Sequence, residues 1–209
     1  MTFSIIGSDP KTQSIGIAVA TKWLAVGSCV PHVEPGVGAI ATQAETNIAF
    51  GPKGLALLKQ GISPKDVLKQ LQLSDKYFET RQVSIMNIQG NTASHTGKDC
   101  SGWAGSKNGS NCVVQGNMLM SADVISSIKK SFETVEGFLA FRLIQALKSG
   151  ESSGGDSRGK QSAALLVSNK TEPIQLYSDD FIDLRVDDHP DPISELGRLY
   201  ELHLDLYSK

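Results

Sequence analysis

The chain opens MTFSIIG, and the threonine behind the initiator methionine has more chemistry open to it than any other residue. Initiator methionine is commonly trimmed when the next residue is small. Thr2 would then carry a hydroxyl and a free α-amine, of pKa about 8, on one residue. That pairing lets a weak alcohol attack a carbonyl, because the amine accepts the hydroxyl proton. The competing reading is a β-branched side chain starting a strand. Further polar residues stand at the ends of apolar runs: Gln43, Glu45 and Asn47 in ATQAETN, Gly116 and Asn117 in QGN, and Asp156, Arg158 and Ser162 in GGDSRGKQS. Polar groups at strand exits commonly line clefts. Asp156 and Arg158 precede an apolar run on a glycine-rich loop, where a charged pair costs desolvation energy unless it is oriented. A solvated surface pair worth little is the alternative. The QGN amides fall near the start of a helical segment, where negative charge is stabilised, or form a tight turn capped by Asn117.

Other motifs fail on spacing. GNTASHTGKD ends in Gly-Lys, but six residues separate Gly90 from Gly97 and Asp99 stands where a phosphate loop needs a hydroxyl. His32, His95, His189 and His203 lack the i, i+4 pairing of a zinc protease and have no cysteine at ligand spacing. They read as turn or surface residues, with His32 and His95 kept for substrate contact. Cys29, Cys100 and Cys112 are odd in number and lack CxxC spacing, so they read as reduced thiols in a cytoplasmic protein. A formal charge of −2, with Lys and Arg scattered, gives no electrostatic reason to expect nucleic acid or a membrane surface. The first twenty residues lack a basic region followed by an apolar run, and no apolar stretch approaches the length of a membrane span. The sequons at Asn108 and Asn169 read as surface turns.

The elements that must position these residues follow from periodicity. Thr2 to Gly7 and Ile15 to Thr21 alternate around SDPKTQS, a hairpin with an Asp-Pro turn. Val37 to Gln43 is small and apolar, as in a strand buried on both faces. Two short helices follow, the second starting at Ser63-Pro64, a cap with proline at the first helical position. Gln82 to Ile88 and Thr92 to Thr96 read as strands around QGNT. WAGSKNGSN reads as a loop leading to a short strand at Cys112 to Gln115. Ser121 to Ser149 carries the longest helical pattern, with a kink predicted at Gly137. QSAALLV is another buried strand, followed by a hairpin, and Pro192 to Tyr207 is an amphipathic helix. Segregated runs of strands and helices suit a layered α+β domain spanning residues 1–209.

Taken in order, MTFSIIGSDP, GIAVATKWLAVGSCVP, GVGAIATQAETN, FGPKGLALL, WAG, VQGNML, GGDSRGKQSAALLV and VDDHPDPISELGRLYELH resemble an uncharacterised bacterial family of domains of unknown function that begin Thr-Phe-Ser-Ile. That family is grouped with the N-terminal nucleophile (Ntn) hydrolases. The resemblance covers nearly the whole chain. It implies an α+β fold of the four-layer αββα sandwich type, with antiparallel sheets between helices. It also implies an N-terminal residue that attacks an amide, and backbone amides that hold the oxyanion. Thr2 matches the nucleophile, and Asp156 and Ser162 resemble the Asp and Ser of a proteasome-like loop. Gly116 resembles the glycine turn facing the nucleophile, and Gln43 and Ala44 fall where the oxyanion-binding turn lies. Two departures stand out. Thr21 or Lys22 replaces the Asp that usually closes the second strand, and the lysine expected on the following strand is absent near His32 to Glu34.

The expected function is thus an amidohydrolase acting on a small or modified amide. Thr2, Asp156 and Ser162 are its catalytic group, and Gln43, Ala44, Asn47, Gly116, Asn117 and Arg158 are its oxyanion or substrate contacts. No cofactor is expected and no residue is assigned to a metal. The partner is a small-molecule substrate or ligand, with no nucleic acid and no membrane. A homodimer is expected from the apolar stripe Leu196, Leu199, Leu202 and Leu206 beside Tyr200 and Tyr207. The rival readings are a non-catalytic small-molecule-binding module that keeps the fold, and an enzyme with an internal nucleophile such as Ser4 or Cys29, which no suitably spaced histidine supports.

Overall fold

Alternating side chains set the first two strands. In the computed structural model, which describes residues 2–169 and 181–207, β1 (Thr2–Asp9) and β2 (Ser14–Thr21) pair antiparallel, with Thr2 opposite Thr21. The Asp9 carboxylate accepts the Lys11 N–H at 2.9 Å and closes the turn. The chain continues through β3 (Pro31–Glu34), β4 (Gly38–Ala44), α1 (Phe50–Lys59), α2 (Pro64–Leu73), β5 (Arg81–Asn87) and β6 (Thr92–Thr96). Then come β7 (Trp103–Gly109), β8 (Cys112–Leu119), α3 (Asp123–Thr134), α4 (Leu139–Ser152), β9 (Ser162–Ser168), β10 (Phe181–Val186) and α5 (Pro192–Tyr207). One sheet has the order β10-β9-β2-β1-β8-β7 and the other β3-β4-β5-β6, and their strand pairings are antiparallel. The fold is mixed α+β.

Each strand of the sheet centres sends alternate residues to opposite faces. Phe3 and Ile5 of β1, Val114 of β8 and Leu165 of β9 pack against Ile128 and Phe132 of α3, Leu143 and Leu147 of α4, and Leu196 and Tyr200 of α5. Ile6, Ile17, Val113, Ala41 and Met86 meet between the two sheets. Ile40, Val83 and Ile85 face Leu55, Leu58, Val67 and Leu71 on α1 and α2. Strands clothed on both sides are apolar almost throughout, which explains the near-continuous runs at β4 and β9.

Several elements depart from the sequence expectation. WAGSKNG is not a loop but the edge strand β7, and PHVE, to which periodicity assigns no element, is the edge strand β3. The long helical pattern is two helices: α3 ends where Val135 turns extended, with ψ 129°, and Gly137, at φ 126°, lies in the connection to α4 rather than at a kink within one helix. The Ser63 cap holds: its hydroxyl accepts the Asp66 N–H at 3.2 Å, with Pro64 beginning α2. On α5, Leu196 and Tyr200 are buried in the core and Leu199 packs against it, so Leu202 and Leu206 are the exposed leucines of the stripe proposed for a dimer. Met1, Lys170 and Thr171 of the second sequon, and the turn of the last hairpin lie outside the described residues. Among the described residues, no helix is long and apolar enough to cross a membrane.

Candidate functional site

The layer between the sheets changes character along the strands. At one end it is Ile6, Ile15, Ile17 and Val113; toward the start of β1 the same face carries Ser4 and Thr2 on β1, Gln43 on β4, Gln82 and Ser84 on β5, and Gln115 and Asn117 on β8. All are buried, so each amide needs partners within the protein. Gln43 Nε2 donates to the Thr2 carbonyl at 3.1 Å and to Gln82 Oε1 at 2.8 Å, while its Oε1 accepts the Ser4 hydroxyl at 2.7 Å. Gln82 Oε1 also accepts Asn117 Nδ2 at 3.0 Å. Its own Nε2 donates to Thr96 Oγ1 and to the Gly105 and Gly116 carbonyls at 2.9, 3.1 and 2.9 Å. Gln115 joins through Ser84 Oγ at 2.7 Å and the Ala41 carbonyl at 3.0 Å. The network ties the opening residue of β1 to both sheets.

This polar end opens into a cleft of about 800 Å³, within the roughly 300–1,000 Å³ usual for small-molecule sites. Thr2 lies in its wall, 7% exposed, with Oγ1 3.1 Å from Thr21 Oγ1. Asn117, its register partner on β8, lines the same wall, and Ala44 and Arg158 also line the cleft. Ala44 and Met118, each one residue past a buried amide side chain, hold φ of 68° and 52°. Such left-handed backbone in non-glycine residues costs about 1–2 kcal/mol and clusters at functional sites.

The remaining expected site residues stand behind this wall rather than in it. Gln43 and Gly116 touch the site through the network above. Asp156 is 5% exposed; its carboxylate accepts the Lys22 and Arg158 backbone N–H groups at 2.8 Å each and the Arg158 guanidinium at 3.2 Å. Ser162 is fully buried, accepting the Val26 N–H at 3.1 Å and donating to the Trp23 carbonyl at 2.5 Å, so it pins the loop after β2. Asn47 is not brought to the cleft: its side chain donates to Asp75 at 2.8 Å and caps the Ala49 N–H at 3.2 Å. Nor are His32 and His95. The His32 ring packs on Gly51, where a Cβ would collide with it, and burial pushes its pKa down, the Cys29 carbonyl pulling the other way. His95 stacks on Phe78 at 4.1 Å.

The opposite wall was not foreseen. Tyr77, Thr80 and Arg81 come from the entry to β5, and Asp99, Cys100 and Ser101 from the loop after β6. Arg81 is the register partner of Ala44, so extending the predicted strand at Gln82 by one residue and pairing it with β4 would have placed it. Arg81 Nε lies 3.0 Å from Asp75, with 16% and 7% of the two side chains exposed. Burial alone would raise the Asp75 pKa, but hydrogen bonds from Asn47, the Tyr77 N–H and Arg81 outweigh it and hold the carboxyl below its usual range. Cys29 and Cys100 also line the cleft, and partial burial pushes both thiols up. Among the described residues no cluster of three or more His, Cys, Asp or Glu is placed to hold a metal ion.

Two antiparallel sheets, helices packed against them and a polar cleft at one strand end define a mixed α+β protein. The model of a family described as "Family of unknown function (DUF1028)" matches residues 2–196, and the chain belongs to that family. The crystal structure of protein SPO2555 from Silicibacter pomeroyi, a member of the same family, is similar with a TM-score of 0.88 and 32% identity, over 97% of this chain and 89% of that one. Anbu, an ancestral β-subunit, from Yersinia bercovieri gives a TM-score of 0.41 at 11% identity, covering 98% and 95% of the two chains. Anbu from Hyphomicrobium sp. strain MC1 gives 0.42 at 9% identity over 97% and 95%. At those TM-scores neither carries weight. A search of the curated proteins finds no match.

Proposed function

We propose that the protein is an amidohydrolase of the Ntn type, with an αββα layering, in which Thr2, made N-terminal by removal of Met1, cleaves a small or modified amide. The observation that carries this reading is the placement of Thr2: the first residue of a central strand, in the wall of the main cleft, with its carbonyl held by Gln43 at 3.1 Å. Among the described residues lining the cleft there is neither lysine nor histidine, and the α-amine is carried by the attacking residue itself, which makes it the base in this reading. Lys22 Nζ is engaged with the Lys160 carbonyl at 3.2 Å.

The Thr2 amine takes the hydroxyl proton as Oγ1 attacks the amide carbon. The oxyanion is held by backbone amides, with the Ala44 turn and Asn117 Nδ2 on the facing walls. The amine then passes the proton to the leaving nitrogen, the C–N bond breaks, and an ester on Thr2 remains. Water attacks the ester, giving its proton to the same amine, and releases the acid and the hydroxyl. An amide nitrogen has no basic lone pair, so a retained Met1 blocks the first step.

The test is intact mass of the purified protein together with a screen of small amides. A processed chain that turns over an amide, loses turnover on Thr2→Ala and keeps part of it on Thr2→Ser supports the reading. An N-terminal tag that prevents trimming should be as damaging as Thr2→Ala. Turnover at the wild-type rate in a permanently tagged protein overturns it in favour of an internal nucleophile. A processed chain that binds amides without cleaving any favours the binding-module reading.

A further inference from the structure

We infer that the substrate carries a carboxylate, that Arg158 receives it, and that the ligand class is therefore the N-acyl amino acids; the inference rests on the reading of Thr2 as the attacking residue. Arg158 differs from an ordinary surface arginine in how it is held. Its Nε and Nη2 lie 3.4 and 3.2 Å from the Asp156 carboxylate, and its own backbone N–H donates to that carboxylate at 2.8 Å. Asp156 is itself fixed, since its side chain is 1% exposed and accepts the Lys22 N–H at 2.8 Å. The anchor is built onto both strand neighbours of Thr2. Lys22 follows Thr21, which pairs with Thr2 on one side, and Asp156 bridges to Leu119, two residues past Asn117, which pairs with Thr2 on the other.

The guanidinium so held lines the same cleft as Thr2, with 35% of its side chain exposed. With its Nε–Nη2 edge turned to Asp156 and its rotamer already chosen, the guanidinium meets a carboxylate from its cleft side and spends little conformational freedom on binding it. The cleft's other arginine is used differently. Arg81 is drawn into the wall by Asp75 at 3.0 Å and by the Glu45 carbonyl, with 16% of its side chain exposed. Glu45 and Asp99 also line the cleft and oppose a multiply charged anion, so a monoanion such as a carboxylate fits better than a phosphate. Trp23 and Tyr77, 66% and 56% exposed, stand on the two sides of the cleft and offer apolar surface to an acyl chain.

The test measures binding by calorimetry to the processed Thr2→Ala protein. The probes are N-acetyl, N-butanoyl and N-hexanoyl amino acids, each beside its matching neutral carboxamide. Carboxylates are expected to bind at least tenfold more tightly than carboxamides. Arg158→Gln should remove that preference and Arg158→Lys should keep part of it; Arg158→Gln should also melt lower, since the buried Asp156 carboxylate loses its cation, so binding is compared well below both melting temperatures. Equal binding of the two sets, binding of neither, or a preference unchanged in Arg158→Gln overturns the inference. Hydrolysis by wild-type protein is scored separately. Discrimination without turnover sinks the hydrolase reading and leaves the carboxylate site standing, whereas turnover of neutral amides without discrimination does the reverse.

Discussion

Gln43 and Gln82 come from adjacent strands of one sheet, are both wholly buried, and join through a 2.8 Å amide–amide hydrogen bond that holds residues of the other sheet from below. Gln43 grips the Thr2 carbonyl and Gln82 grips Asn117 and the Gly116 carbonyl. Hydrogen bonds between sheets are directional where apolar packing is not, so this pair fixes the sheets' relative position at the cleft. Gln82→Leu should strand donors on Gln43 and Asn117 and cost about 2–4 kcal/mol in urea unfolding. A cost below about 1 kcal/mol would mean that the network relaxes and does not position Thr2.

Ala44 offers a paired test of backbone strain. Glycine accepts φ of 68° without steric penalty but loses more freedom on folding, so Ala44→Gly should leave stability unchanged or raise it by about 0.5 kcal/mol. Ala44→Val should lower it by about 1–2 kcal/mol, because a β-branched residue resists that conformation. Thermal melts of the two variants decide the matter: a Gly variant less stable than the Val variant refutes the strained turn.

Ser162 separates positioning from chemistry. Its hydroxyl bridges the Val26 N–H and the Trp23 carbonyl and reaches no cleft. Ser162→Ala should cost about 1–3 kcal/mol and speed hydrogen exchange at the Val26 amide. If the protein hydrolyses an amide, KM should rise more than kcat falls, since Trp23 and Val26 line the cleft and Thr2 is untouched. Loss of kcat as complete as that of Thr2→Ala would return Ser162 to the catalytic group.

What could be read from the sequence follows from where the determinants lie. The β1–β2 hairpin, the capped start of α2 and the span of α5 were legible because alternation, a Ser-Pro cap and a 3.6-residue stripe are local signals. β7 was not, because WAGSKNG is held by the β8 backbone, to which its small polar side chains contribute no pattern. The break between α3 and α4 is hidden because Val135 continues the apolar spacing in sequence while its own backbone is already extended. Of the residues lining the cleft, Thr2, Asn117 and Arg158 are legible as polar residues beside apolar runs, and Ala44 only through the family resemblance. Asn47, also expected there, is turned away by Asp75, a partner distant in sequence, and Asp99 to Ser101 carry no signal short of the tertiary fold.

The three thiols should report the site and the core separately. Cys29 and Cys100 are half-buried in the cleft, with pKa values raised by burial, so alkylation at neutral pH should be slow, should quicken as pH rises, and should be retarded by a cleft ligand. Cys112 is fully buried on β8, and burial, reinforced by Glu133, pushes its thiol up to about 12. Its folded pKa thus lies above that of an unfolded cysteine, about 8.5, and between those values the unfolded chain has released a proton that the native chain keeps. The stabilisation is whole below the lower value and is lost as pH rises toward the upper one, at no more than about 1.4 kcal/mol per pH unit. Unfolding titrations between pH 8 and 11 on wild type and Cys112→Ala should therefore show a shallower alkaline decline in the variant, although the variant starts lower because a core group is gone. Parallel declines, or labelling of Cys112 as fast as that of Cys29 in the folded protein, would place the thiol in contact with solvent and remove it from the core packed against α3.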